Sequence, residues 1–318
     1  MKLRNIIALA LAMILCVATM STLASCNNSS AKYTVGVLQL TQHSALDAAT
    51  KGFKDALVKA FGEDVEIIEQ NANGETTACT TIANDFVAKK VDLIMANATP
   101  ALQAAAAATV DIPILGTSVT EYGVALEIKD FNGTVGGNIS GTSDLAPLDE
   151  QAKMITDLFP NAQNVGLLFC SSEANSRYQV DVIKEKLTAT GKTCTEYSFP
   201  SSAEVANVAA AAAAGSDVIY IPTDNTAADC TEAINNAIGN TPVIAGEPGI
   251  CSGCGVATLG ISYYDLGVKT GEMAVKILKN EAKISEMAIE YAPASKKYNK
   301  AKCDELGLTM PEDYTVIE

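Results

Sequence analysis

The sequence predicts an α/β protein built from two halves of the same design. Three observations carry this. Short apolar runs alternate with amphipathic stretches from residue 33 to about residue 260. Three blocks recur in the same order, at offsets near 130, 125 and 129 residues. In both copies an apolar run ends in polar residues just where a helix begins: "DLIMANATPALQAA" and "DVIYIPTDNTAADC".

In order, "YTVGVLQL" reads as a buried strand. The helix after it places Leu46, Ala49, Phe53, Ala56 and Leu57 at helical spacing. "KKVDLIMANATP" is the next apolar strand. Thr99 is expected as N-cap of the following helix, with Pro100 at its first position. "DIPILGTSVT" closes the first half. The second half begins at "QNVGLLFC", and its helix carries Val180, Ile183 and Leu187. Gly191 stands where a glycine would stop that helix. "AGSDVIYIPTDN" and "NTPVIAGEPG" match the later strands of the first half. The alanine runs "ALQAAAAATV" and "VANVAAAAAAGSD" are strong helix formers with side chains small enough to pack closely on a sheet. Strand–helix alternation of this kind implies parallel sheets with helices on both faces, and right-handed crossovers wind both halves the same way. Ligands of such sheets bind in the crevice at the carboxyl ends of the strands. The polar residues at those ends sit beside helix N-termini whose first N–H groups lack helical partners. They also serve as ordinary helix caps.

The first residues stand apart from this pattern. Lys2 and Arg4 precede the apolar run "IIALALAMILCVATM", which is short for a membrane span and suits a secretory leader. It ends in "LASC", which resembles the lipobox of bacterial lipoproteins. Residues 1–25 are therefore expected to be a signal peptide, Cys26 the lipidated residue, and 26–32 a linker. Acyl chains on Cys26 would hold the protein at a membrane, each buried CH2 contributing about 0.8 kcal/mol.

The chain has 318 residues and a formal charge of −15. Loss of Lys2 and Arg4 with the leader leaves 20 basic against 37 acidic residues, or −17. That balance argues against nucleic acid and anionic lipid surfaces as partners. Beyond Cys16 and Cys26 there are seven cysteines, an odd number that cannot all pair within the chain. "CSGC", Cys251 to Cys254, reads as a disulfide, half a metal site or two unpaired thiols. No second C-x-x-C or nearby histidine completes a zinc site. No metal and no cofactor are expected.

The motifs "VGVLQLTQHSALDAATKGFKDAL", "DLIMANATPALQAA", "IPILGTSVTEYGVAL", "NISGTSDLAPLDEQAKMI", "VGLLFCSSEANS", "IYIPTDNTAADC" and "LGISYYDLGVKTGEMAVKIL" together resemble the substrate-binding lipoproteins of ABC importers. The resembling subgroup is linked to tryptophan and other aromatic amino acids, and the resemblance covers nearly the whole mature chain. Two segments depart from the pattern. Thr120-Glu121-Tyr122 replaces a usual Thr-Asp-Pro, and "EPGICSGCG" adds cysteines on the cleft side. The resemblance implies a type I periplasmic-binding fold: two Rossmann-like lobes joined by three hinge segments and closing on a ligand. Hinges are expected near Ser140–Asp144, Ile261–Tyr264 and Glu290–Ala292. The N-terminal lobe would be 33–141 with 264–289, and the C-terminal lobe 142–263 with 290–318.

Candidate ligand contacts follow from the loops after the strands. The first lobe offers Gln39, His43, Ser44, Leu46, Thr99, Ser118 and Thr120. The second offers Glu173, Asn175, Ser176, Thr223, Asp224, Asn225 and Glu247. Ser143 and Asp144 lie on the first hinge, and Tyr264, with Tyr263, could form an aromatic wall. Hydroxyls dominate the first set and carboxylates the second, a division that suits a zwitterion with its ammonium at Asp224 or Glu247. Ser44 also fits a capping box, "SALD".

An enzyme finds little support. A Ser-His-Asp arrangement would have to use His43, the sole histidine. "GTVGG" lacks the lysine and spacing of a phosphate-binding loop. Asp224 and Glu247 could pair as in a glycosidase, but tryptophan platforms for sugar are absent. The expected protein is thus an extracytoplasmic, monomeric, lipid-anchored binder of a small molecule, an amino acid above all. Its expected partners are an ABC permease and its ATPase. A membrane-tethered ligand sensor of the same fold is the alternative, and a carboxylate-dependent hydrolase a more distant one.

Overall fold

The computed structural model describes residues 31–317. The expected leader, its cleavage site and Cys26 lie outside the described residues. Among the described residues, no helix is long and apolar enough to cross a membrane.

The first half of the chain runs β1 (Tyr33–Gln39), α1 (Ser44–Phe61), β2 (Val65–Asn71), α2 (Thr76–Lys89), β3 (Leu93–Asn97), α3 (Thr99–Ala108), β4 (Ile114–Val119), α4 (Tyr122–Ala125) and β5 (Ile139–Ser143). The second half repeats the plan with α5 (Leu148–Leu158), β6 (Asn164–Cys170), α6 (Ala174–Ala189), β7 (Thr193–Phe199), α7 (Val205–Gly215), β8 (Val218–Ile221), α8 (Asn225–Asp229), α9 (Thr231–Ile238), β9 (Val243–Ala245), α10 (Pro248–Cys254) and β10 (Ala257–Ile261). The tail adds α11 (Tyr263–Leu278), β11 (Glu290–Tyr291), β12 (Ala294–Tyr298), α12 (Lys300–Leu306) and β13 (Thr315–Val316).

Two sheets result, ordered β2-β1-β3-β4-β5-β11 and β7-β6-β8-β9-β10-β12-β13. Their main strands pair in parallel, and β12 is antiparallel to β10. Both sheets therefore have the doubly wound order 2-1-3-4-5. In that order the crevice opens at the switch point, between β1 and β3 in one sheet and β6 and β8 in the other.

Each sheet is covered on both faces. In the first lobe, Phe53 and Leu57 of α1 meet Met273 and Leu278 of α11 under Val35, Val37 and Met95. Ile82 and Phe86 of α2 and Leu102 of α3 cover the other face. In the second lobe, Val180, Ile183 and Leu187 of α6 pack with Ile155 of α5 on one face. Alanines of α7, with Ile234 and Ile238 of α9, close the other. The chain passes between the sheets three times: after β5, between β10 and α11, and between β11 and β12. The division read from the sequence put residues 142–143 and 290–291 in the second lobe. Their pairing in β5 and β11 puts them in the first sheet. Tyr263 likewise starts a helix that packs on α1.

Candidate functional site

The carboxyl ends of the two sheets face each other across a cleft. On the first lobe, two strands end in backbone that L-residues rarely adopt. Ala98, after β3, has φ 91°, and Ser118, at the end of β4, has φ 53°. Ala98 is the N-cap of α3 and offers no side-chain cap. Thr99 and Pro100 therefore lie one residue deeper in the helix than expected, with Thr99 buried. An N-terminus capped by no side chain thus stands beside Ser118, which is 5% exposed and whose Oγ has no partner. Asn97 donates to the Leu46 carbonyl and to Thr50 Oγ1, and leaves its own Oδ1 unpartnered.

The α1 terminus also differs from expectation. His43 is its N-cap, with no side-chain cap, so Ser44 does not form a capping box. Asp47 instead accepts from Gln39 Nε2 at 2.7 Å. Gln39 also accepts from Thr50, so both ends of its amide are used in bracing this corner. Leu46 is 1% exposed and belongs to the first lobe's hydrophobic core with Leu38 and Ala98. His43 reaches across instead, its Nε2 lying 3.5 Å from Asn225 Oδ1 of the second lobe. Burial pushes this imidazole below its usual range, with Asn225 and the nearby Glu173, Asp229 and Asp47 opposing.

On the second lobe the carboxylates are knitted into the loops. Glu173 accepts from Asn225 N and Nδ2 through Oε2, at 3.0 and 2.8 Å, and from Thr226 N and Oγ1 through Oε1, at 2.9 and 2.7 Å. Asp224 caps α8 through Ala227 N and also holds Cys170 N at 2.6 Å, with the Ser176 hydroxyl close by. Burial, with Glu173 beside it, pushes the Asp224 carboxyl upward. Glu247 caps α10 through Gly249 N and Ile250 N, yet burial raises it to about 7. Asn175 and Gln179 both donate to the Thr223 carbonyl, fixing that strand end. The Asn175 Oδ1 stays unpartnered.

The hinge completes the cleft. Ser143 donates to the Thr120 carbonyl and accepts from Leu145 N. Asp144, 4% exposed, accepts from the Tyr263 phenol at 2.9 Å, with the Thr120 hydroxyl close by, while its Oδ1 has no partner. Tyr264 does not come to the cleft. It is 39% exposed, donates to Asp55 and lies under Lys51 on the outer face of the first lobe. Tyr263, 6% exposed, is the inward tyrosine.

At the two departures from the family pattern, Tyr122 and the two cysteines turn into the cores, while Glu121 is half-buried. Glu121 caps α4 through Gly123 N and Val124 N. Tyr122 is buried, its phenol bonded to the Thr142 carbonyl. Cys251 and Cys254 are buried in the second core, and all seven described cysteines are free thiols. Burial raises the Cys251 and Cys254 thiols far from reactivity, Cys254 to about 12.

Asn97, the polar end of the apolar run "DLIMAN", is among the strand-end residues read from the sequence as facing the crevice, though not among the candidate contacts. Two further contributors were not among the residues singled out. Gln179 interrupts the buried stripe of α6, and Thr226 follows the polar triplet. Toward the mouth, Leu40, Thr41 and Pro100 of one lobe and Ser172, Glu173 and Asn225 of the other line a cavity of about 360 Å³. That volume is in the range of small-molecule sites. The lobes are drawn together: a Cβ on Gly249 would fall 2.6 Å from Ser44 Oγ across the cleft.

Comparison with known proteins adds the family. The model of the ABC transporter substrate binding protein family matches residues 34–317. A tyrosine-binding protein of Clostridioides difficile is 36% identical over 253 residues, 78% of this chain and 73% of its own length. The structure of an ABC domain in complex with L-Trp from Streptococcus pneumoniae is 32% identical, covers 90% of this chain and 100% of that chain, and superposes with a TM-score of 0.85. A ligand-free, open substrate binding protein with adhesive properties from Clostridium difficile is 36% identical over 90% of this chain and 99% of that chain, with a TM-score of 0.69.

Proposed function

Because the chain belongs to the ABC transporter substrate binding protein family, we propose that it captures a free amino acid, an aromatic one, between its lobes and delivers it to a permease. It is a solute-binding protein rather than an enzyme, and such proteins of importers work outside the cytoplasm. Lipid on Cys26 would tether it there.

One observation carries the amino-acid reading. Buried polar atoms of opposite character are left unpartnered around one crevice: the Ser118 hydroxyl beside the N-terminus of α3, and a carboxylate oxygen of Asp144. A hydroxyl and a helix N-terminus suit a ligand carboxylate. A buried acid suits an ammonium. Two relatives, one named for binding tyrosine and one solved with L-Trp, support the aromatic preference.

The test uses the absence of tryptophan from the chain. The mature protein is unfolded to strip carried ligand, refolded, and titrated with each of the twenty amino acids. Red-edge emission then comes from added L-tryptophan alone. The expected result is binding of tryptophan, tyrosine or phenylalanine with a dissociation constant of about 1 μM or below. Failure of every amino acid to bind the refolded protein would remove this reading.

A further inference from the structure

We propose that the cleft captures its ligand with release of a proton, that Asp144 is the acid giving it up, and that a cationic nitrogen on the ligand is therefore obligatory. This deepens the amino-acid reading and rests on it.

The geometry begins with where Asp144 stands. It follows β5 directly, at the start of the first crossing between lobes. Its partner Tyr263 opens α11, just past the second crossing, so their 2.9 Å bond ties two of the three connecting segments together. The side chains that bond to Asp144 or share its electrostatics are neutral donors or another acid. Tyr263 faces it from α11. Thr120 and Tyr122 face it from the segment after β4. Glu247 faces it from the junction of β9 and α10. Among the described residues, no lysine, arginine or histidine is bonded to Asp144 or Glu247.

A carboxylate enclosed in this way, with no cation beside it, holds a proton more tightly than in water. Burial raises Asp144 to about 6, against the Tyr263 and Thr120 donors. An ammonium placed at the open Oδ1 would reverse that preference. In the step, the neutral carboxylic acid of Asp144 meets the ligand's ammonium and becomes a carboxylate ion-paired with it, and the proton passes to solvent. One O–H bond breaks and nothing is oxidised or reduced. A ligand lacking the ammonium has nothing to discharge the acid and leaves Oδ1 unpartnered in a closed cleft.

The experiment is calorimetric titration of the mature protein with L-tryptophan and L-tyrosine at pH 6, in buffers of widely different ionisation enthalpy. The dependence of heat on buffer counts protons. We expect release of about half a proton from Asp144 at that pH, and affinity that rises about tenfold from pH 5 to pH 7. The des-amino analogues, indole-3-propionate and 3-(4-hydroxyphenyl)propionate, are expected to bind at least about a hundredfold more weakly. In Asp144→Asn, proton release is expected to vanish and the pH dependence to flatten. In Tyr263→Phe, loss of a donor to the carboxylate moves the midpoint upward. The wild-type proton count decides even if a variant does not fold. Amino-acid binding with buffer-independent heat, equal affinity for the des-amino analogues, or a pH profile that Asp144→Asn leaves unchanged would each overturn the proposal while the amino-acid reading stands. Binding of no amino acid at any pH would instead remove that reading.

Discussion

Ser118 holds a backbone conformation in which its own Cβ is strained, and its hydroxyl is enclosed without a partner. Each feature costs stability on its own, a left-handed non-glycine residue about 1 kcal/mol or more. Their coincidence at a strand end that faces the crevice is what a ligand contact would explain. Ser118→Gly separates the two effects. Glycine relieves the strained φ, and the orphaned oxygen disappears. Urea unfolding of the free protein is expected to show stability unchanged or raised by about 1 kcal/mol. Affinity for the amino acid should fall about tenfold or more, the worth of one hydrogen bond to a charged group. Undiminished affinity in a stable variant would show that the hydroxyl does not touch the ligand. The carboxylates across the cleft obey a different logic. Glu173, Asp224 and Glu247 each accept at least two backbone N–H groups, so they shape the loops before any ligand arrives.

At the scale of elements, the close packing of α1 on α11 sets where the first lobe presents His43 and Tyr263. Two glycines allow it. A Cβ on Gly52 would lie 2.1 Å from the Tyr264 carbonyl oxygen, and one on Gly267 would lie 2.0 Å from that of Ala49. Because these obstacles are backbone, no rotamer change relieves them, and the helices must separate. Gly267→Ala is expected to cost about 2 kcal/mol or more in urea unfolding, at the upper part of the range for overpacking. A loss below ~0.5 kcal/mol would mean that the two helices slide freely. Such packing also explains what was legible in the sequence. The stripe Leu46, Ala49, Phe53, Leu57 and the matched strands gave the doubly wound halves, because burial imposes its period on residue type. β11 and β13, two residues each, are too short to carry any period. Tyr263 and Tyr264 are neighbours about 100° apart around a helix. A shift of one residue in where α11 begins exchanges the inward ring for the outward one. Ala98 displaced Thr99 from its cap by the same margin. Asp144 stood among the candidates by its place on a hinge, but its open oxygen depends on Tyr263 and Thr120, which meet it only in the folded chain.

For the whole molecule, the fold superposes on the L-Trp complex with a TM-score of 0.85 and on the ligand-free open relative with 0.69. Asp144 and Glu247 are enclosed together at the cleft, and this governs how stability depends on pH. Both are acids whose folded pKa lies above the unfolded value, about 6 and about 7 against 3.8 and 4.5. Their contribution is greatest below pH 4, where both states hold the proton. It is lost as pH rises through 6 and 7, where the folded state must bury a charge or stay protonated against the solution. Between pH 5 and 8 each acid removes about 1–3 kcal/mol. Glu196 acts in the opposite sense. Arg177 and Lys184 hold it down to about 2, so its smaller, partly solvent-screened contribution is lost only as pH falls below 4.5. The melting temperature of the ligand-free protein is therefore expected to fall by several degrees from pH 5 to pH 8, at roughly 2–4 °C per kcal/mol for domains of this size. Saturating amino acid supplies the missing cation, so the gain in melting temperature on adding it should be larger at pH 8 than at pH 5. Scanning calorimetry with and without ligand reads both slopes. Parallel curves would mean that the buried acids are not where the ligand's charge resides, and the search for its ammonium partner would then move to Glu173 and the mouth of the cleft.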